Sequence, residues 1–380
     1  MLKNRKNIIR LILFLLAAAL AVFSFTWGVV QMGHKDPGWQ TIDINLQQGH
    51  ILYRSGVTCR YWAEGSSAEI RSLTENVRNA YTDSLLRNFQ LLDAENTWDG
   101  VVNLASLNQH PGETLLLSDA LGDMLLRALE KTEKKEGYSL LAGPLYREWQ
   151  NLVYLKDPLE FDPLNSPEEQ EKLRRITELL NRPDTARLSL EKRLEGYAAC
   201  LTLSPEWLAL QEELELTAPV LDLGLLHDAL LIDRVAEDLS ALGYTAGMLL
   251  TESGYARILR PGLPWVVSLQ NRSSDPNVIT VSSPAASAFF AADLPFSDGY
   301  GSYSADNHWR HLWCDARTGG FADQVLRAAL AMPGGTAEET AWQLIRLVCA
   351  PDPASLAFPE DLSVSWIPQS SPAAVIIPGS

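Results

Sequence analysis

Between Leu11 and Val30 the chain runs for twenty residues without a charge, LILFLLAAALAVFSFTWGVV. As a helix this run is about 30 Å long, the thickness of a bilayer's hydrocarbon core. Lys3, Arg5, Lys6 and Arg10 precede it, and such a positive flank stays in the cytoplasm. Residues 1–34 therefore read as a signal anchor or a signal peptide. The full run, with Trp27 near the far interface, favours an uncleaved anchor. The small residues of Ala19-Leu20-Ala21 offer a cleavage site for the alternative. Either way the expected location is the cell membrane, with the body on the extracytoplasmic side or exported after cleavage.

The exported part is acidic. The whole chain carries a formal charge of −16; no acid precedes Asp36, so the first 34 residues are +4 and the remainder is −16 − 4 = −20. A body of that charge repels phosphate backbones, which argues against a nucleic-acid partner. The four cysteines, Cys59, Cys200, Cys314 and Cys349, form no C-x-x-C pair and carry no zinc or redox signature.

Residues 35–50 read as a tether, and residues 51–63 as a strand with a bend at Gly56. Ile70, Leu73, Val77, Tyr81, Leu85, Phe89 and Leu92 recur at three- and four-residue steps and predict an amphipathic helix over 69–93. Ser118 is placed to cap a second helix that closes near Gly137. Ser166-Pro167-Glu168-Glu169 and Ser204-Pro205-Glu206 each join a capping serine, a proline for the first turn and acids for the positive end of the helix dipole. Residues 220–243 predict a short strand entering a helix. Residues 246–270 predict two strands joined near Arg260-Pro261-Gly262. Helices are predicted near 321–331 and 336–349, and residues 351–380 form a Pro-rich, extended C-terminal tail. Helices and strands alternate without a steady β-α-β rhythm, which points to an α+β fold.

Phosphate-binding glycine loops, the G-x-S-x-G elbow and the H-E-x-x-H helix are all missing from the sequence. Among six histidines the local pair His308 and His311, with Asp306 and Asp315 nearby, reads either as a metal cluster or as a solvated loop.

Five segments, in order, carry a family resemblance. Ser55-Gly56-Val57-Thr58 is similar to an early G-T strand. Asn103-Leu104-Ala105-Ser106-Leu107-Asn108 is similar to an S-x-[IL]-S-x-[IL]-N turn. Gly143-Pro144-Leu145 with Trp149 matches G-P-L-x-x-x-W. Leu221-Asp222-Leu223-Gly224 running to Asp233 resembles D-L-G-G-I-A-K-G-Y-x-x-D. Asp315-Ala316-Arg317-Thr318-Gly319 with Ala322-Asp323 resembles D-P-R-T-G followed by A-D-A-x-x-T. Together they resemble the ApbE family of FAD:protein FMN transferases over residues 51–350. The resemblance implies ApbE-like, T-fold-related mixed sheets with packed helices. It also implies a magnesium-dependent reaction in which FAD is cleaved at its pyrophosphate, FMN passes to a threonine of a target protein and AMP leaves. A cation to neutralise the pyrophosphate and a base near the threonine hydroxyl suit that chemistry.

Carried over position by position, the resemblance implies flavin-nucleotide contacts from Thr58, Asn108, Asp222, Asp228, Gly254, Thr318 and Arg327. It implies metal ligation at Asp323 and at the position of His227, and a catalytic role for His311. Several positions depart from the pattern. The second glycine is Leu225, the alanine whose carbonyl helps hold the metal is His227, the lysine is Asp228 and the next glycine is Ala229. Ser253-Gly254-Tyr255 stands for G-G-D, Arg327 stands for the metal-binding threonine, and the expected histidine falls on Leu312, one residue after His311. A T-S-G segment expected near 280–300 is not recoverable. An anion in place of the lysine costs about 4 kcal/mol beside a phosphate charge ~4 Å away at intermediate dielectric. Arg327 is able to replace a cation by contacting phosphate directly. Plainer roles stand beside these: Asp323 as a helix-start acid, Asp222 as a turn cap, Asp233 as an ion-pair partner, Arg327 on a solvated helix face, Trp149 in the core. Two functions stay open: a flavin transferase with a rebuilt site, and a catalytically inactive exported relative acting as a flavin-binding or interaction module.

Overall fold

The computed structural model describes residues 36–380, apart from Gln48, Lys156, 260–263, 271–275, 283–284, 295–300, 372–373, Pro378 and Ser380, and gives backbone only for the strands within 264–282. The proposed membrane segment lies outside these residues. Among the described residues, no helix is long and apolar enough to cross a membrane.

In chain order the elements are β1 (Gly38–Ile42), β2 (Val57–Ala63), α1 (Ser67–Leu92), α2 (Leu104–Gln109), β3 (Leu115–Leu117), α3 (Asp119–Glu133), α4 (Gly143–Tyr154), α5 (Pro167–Leu180), β4 (Ala186–Arg193), β5 (Gly196–Leu203), α6 (Pro205–Glu213) and α7 (His227–Ala241). Then come β6 (Gly247–Thr251), β7 (Tyr255–Ile258), β8 (Pro264–Gln270), β9 (Pro276–Ser282), β10 (Ala286–Ala291), β11 (Ser302–Ala305), β12 (His308–His311), β13 (Cys314–Asp315), β14 (Gly320–Phe321), β15 (Val325–Met332), α8 (Ala337–Val348), β16 (Ser363–Pro368) and β17 (Val375–Ile377). An antiparallel sheet runs β1-β2-β6-β7-β10-β15-β16-β17, and α1, α7 and α8 pack across it. A small β3-β5-β4 sheet and the cluster of α4, α5 and α6 complete the α+β body.

The caps at Ser118, Ser166 and Ser204 act as the sequence predicts, and Ser66 adds one that the sequence reading did not name. Ser66 and Glu69 form a reciprocal capping box that starts α1, and its apolar stripe buries Ile70, Val77, Tyr81, Leu85 and Leu92. Ser118, Ser166 and Ser204 each accept an amide hydrogen bond at the start of α3, α5 and α6. The residues read as a tether supply β1, and the C-terminal stretch supplies β16 and β17 of the main sheet.

Three expectations are corrected. The helix expected near 321–331 is a strand: β15 lies between β10 and β16 with all its residues but Leu326 and Arg327 apolar and buried, or nearly so. Its sequence, VLRAALAM, is alanine-rich and covered on both faces. The alternation that marks a half-exposed strand is therefore absent, and ladder bonds from two neighbours override alanine's helix propensity. The strand expected near residue 220 is an irregular, bent segment that leads into a 3-10 turn at Gly224–Leu226. Asn108 takes the place of a neighbouring strand there: its Nδ2 donates to Leu221 O at 2.8 Å and its Oδ1 accepts from Leu221 N at 2.9 Å. The two strands expected over 246–270 join earlier than expected, at Glu252-Ser253-Gly254 between β6 and β7; Arg260-Pro261-Gly262 lies outside the described residues.

Asp233 locks α7 to the start of α8. Its carboxylate accepts from the Ala337 and Glu338 amides at 2.9 and 2.8 Å, and Arg257 Nε lies 3.1 Å away. Burial pushes its pKa up to about 6, against the opposing pull of those donors. A native pKa above the ordinary carboxylate value means the folded state holds this proton more tightly. That contribution is complete below about pH 4 and fades as pH rises through 6. Between pH 4 and 7 the wild-type chain should lose on the order of 2–3 kcal/mol relative to Asp233→Asn, measured by urea unfolding. A pH-independent difference between the two would rule out this titration.

Candidate functional site

Two cavities meet at Ser253, Leu312 and Trp313, where both are lined by the same three residues. The first, about 320 Å³, is walled by Phe289, Phe290, Leu294, His311 and Trp313. Phe290 packs 4.8 Å from the His311 ring and 4.9 Å from Trp313, centroid to centroid. The second, about 280 Å³, is more polar than the first, with a mixed lining that includes Asp222, His227, Asp228, Tyr146, Arg147 and Gln150.

The turn between β6 and β7 forms the wall they share. Thr251 Oγ1 accepts from Tyr255 N at 2.9 Å, and Gly254 adopts φ +97°. Gly254 O accepts from Phe289 N at 2.8 Å, and a Cβ at this position would stand 2.1 Å from Phe289 O. Only glycine allows strand β10 to approach so closely.

The start of α7 contributes the polar wall. Asp228 lies in the first turn, where the helix dipole favours an acid. Its Oδ1 receives the Nδ1 hydrogen of His227 at 2.9 Å, and its Oδ2 accepts from Ser253 Oγ at 2.6 Å. Burial opposes the charge on Asp228, but the hydrogen bonds from His227 and Ser253 hold its pKa below the usual value. Burial likewise opposes an imidazolium at His227; the hydrogen bond and charge of Asp228, with Asp222 and Asp93 beyond, outweigh it and raise that pKa. Asp222 turns back to accept from Gly224 N at 2.8 Å, as a turn cap does. Tyr255 Oη donates to Leu225 O at 2.8 Å and ties the turn to the entry of α7.

Five of the sequence-derived positions thus meet around these cavities: Asp222, His227, Asp228, Gly254 and His311. His311 is engaged at both ring nitrogens. Nδ1 accepts from Trp313 N at 3.2 Å, so Nε2 carries the hydrogen and donates to Ala322 O at 2.7 Å. Burial pushes its pKa down to about 4, so the ring is neutral at pH 7 and serves as a wall.

The others stand elsewhere. Asn108 braces Leu221 and borders a third cavity, which shares Arg147 with the second. Thr58 is exposed on β2. Thr318 lies in the turn that Asp315 organises: Asp315 O accepts from the Thr318 and Gly319 amides at 3.2 and 2.8 Å, and its carboxylate accepts from Arg317 N and Nε. Trp149 is core, donating from Nε1 to His311 O at 2.7 Å and packing on Phe321. Asp323 is engaged by His308 Nδ1 at 3.0 Å and Gln324 Nε2 at 2.8 Å. Arg327 is buried in a two-pronged pair with Asp293, at 2.8 and 2.9 Å, instead of on a solvated helix face. Asp323 precedes strand β15 and Arg327 lies within it, so the two do not share the helix face that their four-residue spacing implied.

These side chains do not fit a magnesium ion. Magnesium asks for six oxygen ligands in near-octahedral order. Both Asp323 oxygens accept hydrogen bonds from neighbouring side chains, the His227 position would contribute only its backbone carbonyl, and Arg327 has no lone pair. Among the described residues no three His, Cys, Asp or Glu side chains converge as a metal site. Sequence reasoning missed Phe290, Leu294 and Trp313, which belong to none of the five segments, and Asp293, 34 residues from Arg327; it singled out His308, but grouped it with His311 and not with Asp323.

No family profile matches this chain, and no curated protein does. Solved structures match it. The ApbE protein of Thermotoga maritima superposes with a TM-score of 0.56 at 14% identity, covering 86% of this chain and 94% of its own. The flavin transferase ApbE from Vibrio cholerae does so with a TM-score of 0.54 at 15% identity, covering 85% of this chain and 93% of its own. A histidine-to-glycine variant of that enzyme gives a TM-score of 0.56 at 14% identity, with coverage of 91% and 98%. At such identities the likeness is one of fold: this chain has the ApbE fold over most of its length.

The Gly254 contact is directly testable. Gly254→Ala should cost about 2 kcal/mol or more, from a strained φ and a clash with backbone. Urea unfolding of the full-length chain checks this, and a neutral result would show that β10 moves away freely.

Proposed function

We propose that this chain is a membrane-anchored, extracytoplasmic flavin-binding relative of the flavin transferases, with the flavin in the two joined cavities. One observation carries the reading: in a chain of the ApbE fold, an aromatic-walled cavity opens into a polar one at Ser253, Leu312 and Trp313. Ligand sites of this kind combine apolar walls with a few placed polar groups. The fold likeness supports a flavin as the occupant, and the charge-free run after a positive flank supports the anchor.

The second reading is the full activity: magnesium-dependent transfer of FMN from FAD to a threonine of a target protein, with release of AMP. His227 favours it. The residue faces the polar cavity with its Nδ1 held by Asp228, and its Nε2 has no hydrogen-bond partner among the described residues. The donor set around Asp323 and Arg327 favours binding without transfer. Fold likeness does not by itself choose between them.

Titration of FAD into the full-length chain in detergent should change flavin fluorescence saturably, with AMP staying at the blank level in millimolar magnesium. Leu294 is half exposed on the apolar wall, so Leu294→Glu should leave the fold intact and weaken binding about tenfold or more. AMP release that disappears in Asp323→Ala would establish the transferase reading. An unchanged flavin signal would remove flavin altogether.

A further inference from the structure

We infer that the cleft recognises the isoalloxazine ring of its flavin and needs no divalent cation, so that riboflavin, FMN and FAD bind alike. The inference rests on the flavin reading above and concerns which half of the molecule is held.

The apolar cavity is suited to a flat ring system. Phe289, Phe290, Leu294 and Trp313 supply its apolar wall, and His311, neutral and engaged at both nitrogens, completes it without presenting a charge.

The neighbouring polar cavity is poorly suited to a pyrophosphate. The first turn of α7 would be the natural place for one, since a helix start offers amide donors and positive dipole. Asp228 already fills that place, held there by His227 and Ser253, and Asp222 lines the same cavity. The guanidinium in the lining, Arg147, is engaged by Glu95 at the surface.

The third part of the case is a closed corner beside the ring cavity. Arg327 pairs across from Ala291, which lines the cavity, and meets Asp293 two residues further on. A guanidinium bonded twice to one carboxylate is a self-neutralised unit that offers a phosphate no net charge. Asp323 is hydrogen-bonded by His308 on one oxygen and by Gln324 on the other. The guanidinium and the carboxylate that the resemblance offers to a pyrophosphate and a cation are thus engaged by partners within the protein. The ring cavity stays open, and beside it His227 presents Nε2 to the second cavity.

The full-length chain in detergent should be titrated with riboflavin, FMN and FAD, each in millimolar magnesium and again in EDTA, against a micelle blank. The expected dissociation constants agree within about threefold across all six titrations. Tenfold or tighter binding of FAD over riboflavin, seen only with magnesium, would overturn the inference while the flavin reading stands. The same preference in EDTA would show that the adenylate half is recognised without a cation, and would overturn the ring-only part. Failure of all three ligands to bind would overturn both the inference and the flavin reading.

Discussion

The Asp233 carboxylate is the contact on which the placement of the cleft depends. It sits in the middle of α7, satisfies the first two amides of α8, and lies against Arg257 of β7. Arg257 in turn donates to the carbonyls of Ala285 and Gly335, so β7, the entry to β10 and the turn before α8 share one polar node. The start of α7, two turns before Asp233, carries His227 and Asp228 into the polar cavity. A buried carboxylate with this many donors is costly to leave unmatched, which makes the node rigid. The cleft inherits that rigidity, because its polar wall and its shared turn both hang from elements the node fixes.

Much of the scaffold was legible because local chemistry decided it. Helix starts are set by serine or threonine caps with acids three residues on, and each of these signals marks a helix within a residue or two. The failures share a cause. β15 reads as a helix because its alanines carry propensity and its burial on both faces erases alternation; the deciding bonds come from β10 and β16, remote in sequence. The segments read as a tether and a tail are strands for the same reason. Gly38–Ile42 and Ser363–Pro368 are too short to announce themselves, and a partner's edge recruits them.

The candidate site was legible in part. The segments that carry the resemblance locate the cleft through Asp222, the start of α7 and the Gly254 turn, since their spacing fixes backbone geometry. The role of each side chain was not legible, because it depends on partners that spacing does not reveal. Arg327 appears as a free cation in the sequence and is in fact ion-paired with Asp293; Asp323 appears as a ligand and becomes the partner of His308. His311 appears as a base and becomes a wall once Trp313 and Ala322 occupy its nitrogens.

The resemblance survives in residues whose work is structural. Asp315 gathers its own turn, and Gly319, at φ +67°, lies where a Cβ would strike Thr177 Oγ1 at 2.1 Å. Gly143 lies where a Cβ would meet Pro219 O at 2.0 Å, and Asn108 closes the backbone of Leu221. Each of these would break the fold if replaced, whatever the cleft binds. Asp228 and Arg327, where the resemblance would put a lysine and a threonine, close no backbone. Their side chains are held instead by hydrogen bonds from His227 and Ser253 and by an internal ion pair with Asp293.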